Sequence, residues 1–261
     1  MTISFSLGRK TPANAEVAAF GVTEEGFQDP ACKTDLTIDL ETLGFKAQVG
    51  QIQIVPQGKQ VVAAVGLGPI EKLSASELRA ASAALARATR GYKSVACDLV
   101  NASNLPTESA TRAVVEGMGL ALYEFGYKSK KSETQLKKVV LTGSTSSAAK
   151  KGLDEANAIL EAVMFARDLV NEPGGSLTPA KFANKIVRMA REKGLSVKVM
   201  DQAAIKRARF GGLLGVNRGS TNPARFVELT YTPKGQTKGT LAFVGKGITF
   251  DAGGLSIKPA Q

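Results

Sequence analysis

Short apolar runs alternate with amphipathic stretches over the first 145 residues of the chain. The apolar runs lie at 17–22, 51–55, 60–68, 94–100 and 136–143. Several of them are continuously apolar, which is typical of parallel strands that are covered on both faces. The stretch that opens at Ser76-Glu77 and the stretch from Thr107 to Phe125 carry apolar residues at helical spacing. Strands that alternate with helices predict a three-layer α/β domain with a mostly parallel sheet.

A second α/β segment follows a long helix. Apolar residues at helical spacing predict that helix over 147–170, and the turn sequence NEPGG at 171–175 ends it. Thr178 as N-cap and Pro179 at the first helical position predict the next helix. The segment continues with predicted strands at 195–200, 225–232 and 239–247 and a short helix at 201–209. About 85 residues of this kind seldom close a sheet that is buried on both faces. We therefore expect the second unit to be incomplete.

The residue types that are missing limit the chemistry. The chain has no histidine among its 261 residues, which excludes Ser-His and Cys-His nucleophilic sites within it. Any metal must then bind to carboxylates, backbone oxygens or, unusually, lysine. Cys32 and Cys97 form no CxxC pair, which favours a reducing cytoplasm. Because no apolar run reaches the roughly 18 residues of a membrane span, we expect no membrane partner.

The positive charge of the chain is concentrated in its second half. Residues 1–130 carry 13 basic and 13 acidic residues, whereas residues 131–261 carry 21 basic and 10 acidic residues, so the net charge of +11 lies there. One explanation is a nucleic-acid or other anionic partner. A second is solvated helix surfaces, and a third is an acidic complement that lies outside these residues.

The stretch VGKGITFDAGGLSIKP at 244–259 carries the most specific chemistry. It places Lys246, Asp251 and Lys258 on a loop whose glycines allow close backbone approach. A lysine can bind a metal only as the neutral amine, so the ion must displace a proton, and burial and a nearby dication both favour this. Taken singly, the lysines would be solvated and Asp251 would be a turn residue. Together, the three residues predict an unusual metal site without histidine.

This stretch resembles the signature of the leucyl (cytosol) aminopeptidases, family M17 of the metallopeptidases, whose members hold two metal ions. The similarity extends upstream through ARDLVNEPGGSLTP at 166–179, GLLGVNRGS at 212–220 and PARFVELTY at 223–231. The resemblance implies three parts. Residues 1–146 would form the N-terminal α/β domain, 147–172 a connecting helix, and 173–261 the first part of the catalytic domain.

The resemblance also implies a role for each of the three site residues. Lys246 would bind one of two divalent ions, Mn²⁺ or Zn²⁺, and Asp251 would bridge both ions. Lys258 would be the catalytic electrophile, whose ammonium stabilises the oxyanion formed when metal-activated water attacks the peptide carbonyl. The family's other ligands, two aspartates and a glutamate, and an arginine that holds a bicarbonate ion, would lie beyond Gln261.

The function expected from this resemblance is that of a cytoplasmic aminopeptidase. The complete enzyme would be a hexamer that removes N-terminal residues, leucine-like ones preferred, from peptides. We expect the 261-residue chain alone to be inactive, because two ligands are too few for a tight dinuclear site. A nucleic-acid-binding accessory role of the basic half is the alternative, and its binding should weaken steeply with salt. A folding or assembly fragment without activity of its own is the third hypothesis.

Overall fold

The computed structural model of the chain describes residues 3–28, 39–58, 60–127, 133–235 and 238–250. Their contacts divide the chain into two compact units, Met1–Ala166 and Arg167–Gln261. The division into 1–146, 147–172 and 173–261 that the sequence predicts remains a prediction. No helix among the described residues is both long and apolar enough to cross a membrane.

Six strands form the sheet of the first unit, in the order β1-β6-β5-β2-β4-β3. Their bounds are β1 Ser4–Gly8, β2 Val17–Thr23, β3 Ile52–Gln57, β4 Gln60–Gly68, β5 Ser94–Cys97 and β6 Lys138–Thr142. All neighbours pair in parallel except β3, which is an antiparallel edge strand beside β4. The register aligns apolar residues across the sheet, with Val95 opposite both Val17 and Val139. The mostly parallel α/β fold predicted from the sequence is confirmed.

Helices cover one face of this sheet. The helices of the first part of the chain are α1 Glu24–Gln28, α2 Ala75–Ala88, α3 Leu99–Ala102, α4 Thr107–Ala121 and α5 Ser147–Asn171. The main core lies between the sheet and α2 and α4, where Leu78, Met118 and Leu141 are fully buried. The helices α2 and α4 approach closely at Gly117, where an added Cβ would lie 2.3 Å from the carbonyl oxygen of Arg79. A smaller cluster, with Phe45 and Ala47 packed on Val55 and Ala64, covers part of the other face.

Two helix ends differ from the prediction. Helix α2 begins at Ala75, one residue before the predicted opening at Ser76, and Ser74 is its N-cap: the Ser74 hydroxyl accepts from the Ser76 N–H while the Glu77 carboxylate accepts from the Ser74 N–H. This reciprocal arrangement is a capping box. Helix α4 ends at Ala121 instead of continuing to Phe125.

The second unit has a small two-stranded sheet. Its elements are α6 Pro179–Glu192, β7 Ser196–Met200, α7 Gln202–Arg207, α8 Gly211–Val216 and β8 Phe226–Thr230. As predicted, α6 begins with Thr178 as N-cap, whose hydroxyl accepts from the N–H of Lys181, and with Pro179 at its first position. The strands β7 and β8 are antiparallel, with Val199 opposite Val227.

The predicted strand at 239–247 is wrong for this structure. These residues form neither helix nor strand, and Leu241, Phe243 and Val244 are exposed. A strand needs backbone hydrogen bonds from a neighbouring strand. The apolar sequence predicted a strand covered on both faces, whereas residues 239–247 are all exposed. The apolar sequence alone therefore does not produce a strand here, because no neighbouring strand among the described residues pairs with this segment.

Candidate metal and catalytic site

The loop around Lys246 is the described part of the predicted site. Lys246 is exposed, and the backbone turns sharply just after it, because the N–H of Ile248 donates to the carbonyl oxygen of Lys246 at 3.1 Å. A hydrogen bond between residues two apart is a γ-turn, with Gly247 at its centre. This turn changes the direction of the backbone immediately after Lys246.

Helix α6 contacts this loop through Phe182. A Cβ added at Gly247 would lie 2.7 Å from the Cε1 atom of the Phe182 ring, so the ring occupies the space of a side chain. Nothing lies within 4 Å of the corresponding position at Gly245, on the other side of Lys246. Packing against α6 therefore explains why residue 247 is a glycine, but it does not explain the glycine at 245.

The same helix is attached to the NEPGG turn by a buried ion pair. The Lys185 Nζ lies 2.6 Å from the Glu172 Oε2, and the Glu172 side chain is only 5% exposed. The other carboxylate oxygen of Glu172 accepts from the Ser176 hydroxyl at 3.1 Å. The sequence pattern does not predict this pair. A carboxylate directly after a long helix and a lysine on the next helix were the available signal, but their spacing alone does not show contact.

These contacts make α6 the element that supports the Lys246 loop. Phe182 and Lys185 are three residues apart, so they lie on neighbouring positions of one helix face. One of them packs against Gly247 and the other pairs with Glu172. The position of the Lys246 backbone thus depends on α6 and on the NEPGG turn that precedes α6.

The other two predicted site residues cannot be placed. Asp251 and Lys258 lie outside the described residues. Within the described ranges, no group of three or more His, Cys, Asp or Glu side chains is arranged to hold a metal ion. A single exposed lysine is not a metal site, because a divalent ion needs several ligands. Of the predicted site, the structure therefore places Lys246 on an exposed loop, and the three-residue site stays a prediction.

Two titratable groups lie at the end of β5 in the first unit, the buried Cys97 and the half-buried Asp98. Burial raises the pKa of the Cys97 thiol to about 12. Burial also raises the pKa of Asp98, whose Oδ1 accepts from the N–H of Gly21 at 3.1 Å. A thiol this deeply buried is unreactive. Both groups serve the packing of β5 against β2, and neither is part of the predicted site.

Comparisons with known proteins identify the family. Residues 9–131 match the N-terminal domain of the cytosol aminopeptidase family, and residues 164–261 match its catalytic domain. The chain belongs to the cytosol aminopeptidase family. The family predicted from the stretch 244–259 is thus confirmed, and the catalytic-domain match includes the whole second unit, Arg167–Gln261.

The similar proteins are about twice as long as this chain. A probable cytosol aminopeptidase of Rhodococcus jostii is 36% identical over 248 residues, which are 90% of this chain and 48% of that protein. One of Nocardia farcinica is 38% identical over 242 residues, 88% of this chain and 46% of that protein. The chain therefore spans about half the length of these relatives.

Solved structures of similar proteins share the fold. A mutant of tomato leucine aminopeptidase superposes with a TM-score of 0.80 at 26% identity, covering 97% of this chain and 56% of that one. The bottromycin maturation enzyme BotP in complex with Mn gives a TM-score of 0.72 at 35% identity, covering 84% of this chain and 46% of that one. These names favour a peptidase and give no support to the nucleic-acid alternative.

Proposed function

We propose that this chain forms the N-terminal part of a metal-dependent aminopeptidase that removes leucine-like residues from the N-termini of peptides. The observation that carries the proposal is the match of both family domains in order along one chain, at 9–131 and 164–261. We assign residues 1–146 to the N-terminal domain, 147–172 to a connecting helix and 173–261 to the first part of the catalytic domain. The family name also supports a cytoplasmic location.

In this proposal Lys246 and Asp251 hold the metal. Two divalent ions, Mn²⁺ or Zn²⁺, would supply Lewis-acid polarisation of the peptide carbonyl and activation of water when bound. Lys246 contributes a neutral amine, and the γ-turn at Gly247 together with the Phe182 ring limits how far its backbone can move. Asp251 would contribute a carboxylate ligand. The Mn in the BotP complex supports the choice of a divalent ion.

Lys258 is the proposed electrophile. Its ammonium donates hydrogen bonds to the carbonyl oxygen as negative charge develops there, which lowers the energy of the tetrahedral intermediate. The ligands that complete the site, an arginine that holds bicarbonate, and the hexamer would belong to the whole enzyme. We propose that the 261-residue chain alone does not hydrolyse peptides, since it offers only two recognised ligands.

Peptidase activity tests this proposal in two steps. The purified chain, checked by its intact mass of 27.3 kDa, should not hydrolyse leucine p-nitroanilide with or without Mn²⁺. Joined to the second half of the Rhodococcus jostii relative, it should gain Mn²⁺-dependent hydrolysis. Metal-dependent hydrolysis by the 27.3 kDa chain alone would refute the proposed inactivity.

The joined enzyme also tests the roles of the lysines. Lys258→Ala should lower kcat by about 100-fold or more with little change in KM, because the oxyanion contact exists only in the transition state. Lys246→Ala should lower activity and weaken Mn²⁺ binding measured by calorimetry. Lys238→Ala, a change at another exposed lysine eight residues before Lys246, is the matched control and should have no effect. An unchanged kcat in Lys258→Ala would exclude its role as electrophile.

A further inference from the structure

The attachment of α6 to the NEPGG turn depends on a buried pair of opposite charges. The Lys185 Nζ lies 2.6 Å from the Glu172 Oε2, and the Glu172 side chain is 5% exposed. Removing a carboxylate and an ammonium from water costs so much solvation free energy that two packed apolar residues are often as stabilising. An ion pair differs from an apolar contact in its direction, because an N–H group must point at the oxygen. The pair therefore fixes the position of α6 more narrowly than apolar packing would.

The Glu172 carboxylate is itself held on both of its oxygens. Its Oε1 accepts from the Ser176 hydroxyl at 3.1 Å, and its Oε2 lies against Lys185. The turn that follows Glu172 is closed, since the N–H groups of Ser176 and Leu177 both donate to the carbonyl oxygen of Pro173 at 2.9 Å. The carboxylate thus has a fixed position relative to the start of α6.

Helix α6 carries this position to the Lys246 loop. Phe182 lies three residues before Lys185, on a neighbouring position of the helix surface. Its ring fills the space beside Gly247, where an added Cβ would lie 2.7 Å from the ring. Gly247 is the centre of the γ-turn that follows Lys246. Because a helix moves as a unit, a displacement of α6 at Lys185 also displaces the ring and alters the contact that confines Gly247.

We propose that Glu172 and Lys185 are positioning residues for Lys246. They act through Phe182 and Gly247, and together these residues limit the positions that the Lys246 backbone can take. This inference rests on the proposed function, in which Lys246 is a metal ligand. Residues that orient a metal ligand without touching the ion typically contribute about 10- to 100-fold to metal affinity. We therefore expect the ion pair to change how tightly the metal is held.

The contact between the ring and Gly247 gives a signature that needs neither metal nor activity. In the NMR spectrum of the 261-residue chain, the ring current of Phe182 should separate the two Hα signals of Gly247. Lys185→Met removes the charge, keeps an apolar side chain of similar length, and should reduce this separation toward that of Phe182→Leu. Lys181→Met, at an exposed lysine one turn earlier on α6, is the matched control and should leave the separation unchanged.

Two further variants distinguish positioning from general destabilisation. Lys185→Arg keeps an ion pair with Glu172 and should retain most of the Gly247 signature. Glu172→Gln keeps the shape of the side chain and should have the effect of Lys185→Met. Contacts between Val199 of β7 and Val227 of β8 report whether the unit is folded, and Glu172→Gln replaces Lys185→Met if the latter loses them. An unchanged Gly247 signature in a folded variant without the ion pair would overturn the inference.

The joined enzyme tests the link between the ion pair and the metal. Calorimetry should show that Lys185→Met weakens Mn²⁺ binding by at least about tenfold, whereas Lys185→Arg and Lys181→Met bind Mn²⁺ as the original sequence does. Unchanged Mn²⁺ affinity in Lys185→Met, in a joined enzyme that hydrolyses leucine p-nitroanilide, would overturn the inference and leave the proposed function intact. A joined enzyme that neither binds Mn²⁺ nor hydrolyses this substrate would contradict the proposed function, and the Gly247 signature would still decide whether the ion pair positions the loop.

Discussion

The strands of the two units have similar apolar sequences but very different burial. In the first unit Val95 of β5 and Val139 of β6 are 1% and 0% exposed, whereas in the second unit Val199 of β7 and Leu229 of β8 are 40% and 43% exposed. The first pair lies inside a six-stranded sheet with helices packed against it, and the second pair forms a two-stranded sheet. β-branched and other apolar residues thus form a core only where neighbouring strands and a covering layer are present.

The same difference explains why the segment 239–247 does not form a strand. Its run of four apolar residues at 241–244 resembles the run at 61–65 of β4, which is central in the first unit and buried from Ala63 to Gly68. The two segments differ in their neighbours, since β4 pairs on both sides with β2 and β3. The comparison therefore predicts that stability is concentrated in the first unit and that truncating the exposed apolar side chains of the segment 239–247 has little effect in this chain.

The largest expected effect comes from a matched pair of leucines. Leu85→Ala should lower the free energy of unfolding of the first unit by about 3 kcal/mol, because Leu85 is 0% exposed and its loss leaves a cavity. Leu241→Ala removes the same atoms from a 78% exposed side chain and should stay within about 0.5 kcal/mol.

Alkylation of Cys97 across a urea gradient measures the effect of Leu85→Ala on the first unit, and amide exchange in α6 measures the effect of Leu241→Ala on the second unit. The thiol is 1% exposed and its pKa is raised to about 12 by burial, so it reacts only when the first unit opens. Peptide mass spectrometry separates its signal from that of Cys32. Equal effects of the two leucine substitutions would contradict the contrast between the units.

An ion pair on the helical layer gives the next effect. The Glu116 side chain is 8% exposed and accepts from Arg79 at 2.8 Å, with Arg112 at 3.4 Å. Glu116→Gln should cost about 2 kcal/mol, less than a fully buried pair because both arginines remain partly solvated. Glu133 pairs with Arg90, but its side chain is 80% exposed. Glu133→Gln should therefore lower the free energy of unfolding by no more than about 0.5 kcal/mol. The same urea gradient measures both, and a larger cost for Glu133→Gln would show that burial does not set the ranking.

The sequence predicted the elements whose signals are local. Thr178 and Pro179 marked the start of α6, and continuous apolar runs marked β4, β5 and β6, because capping and strand patterns depend on adjacent residues. It did not predict the pair of Glu172 and Lys185, which depends on how the chain returns after the NEPGG turn. The family followed from the stretch 244–259, yet the roles of its three site residues remain predictions.

A glycine substitution tests whether the second unit has specific packing despite its exposed strands. Gly247→Ala should cost about 1 kcal/mol, because the new Cβ would lie 2.7 Å from the Phe182 ring. Amide exchange in α6 should then accelerate about fivefold. Gly245→Ala is the matched control, with nothing within 4 Å of its Cβ. Phe182→Leu should relieve the cost of Gly247→Ala in the double variant, and an unrelieved cost would mean that the contact does not support the Lys246 loop.

The smallest effect is a pH dependence confined to the first unit. Burial raises the pKa of Asp98 above its ordinary 3.8, so between these two values the folded state binds more protons than the unfolded chain. Stability therefore falls as pH rises through this window and stays lower above it. Asp98→Asn keeps an oxygen that can accept from the Gly21 N–H but cannot ionise, so its stability should exceed that of the original chain at about pH 7 and match it near pH 4. Asp154→Asn, at an exposed carboxylate on α5, should leave the slope unchanged. Urea unfolding at these pH values measures the change of the free energy of unfolding with pH. If Asp98→Asn showed the same change with pH as the original chain, burial of the Asp98 carboxylate would not destabilise the first unit.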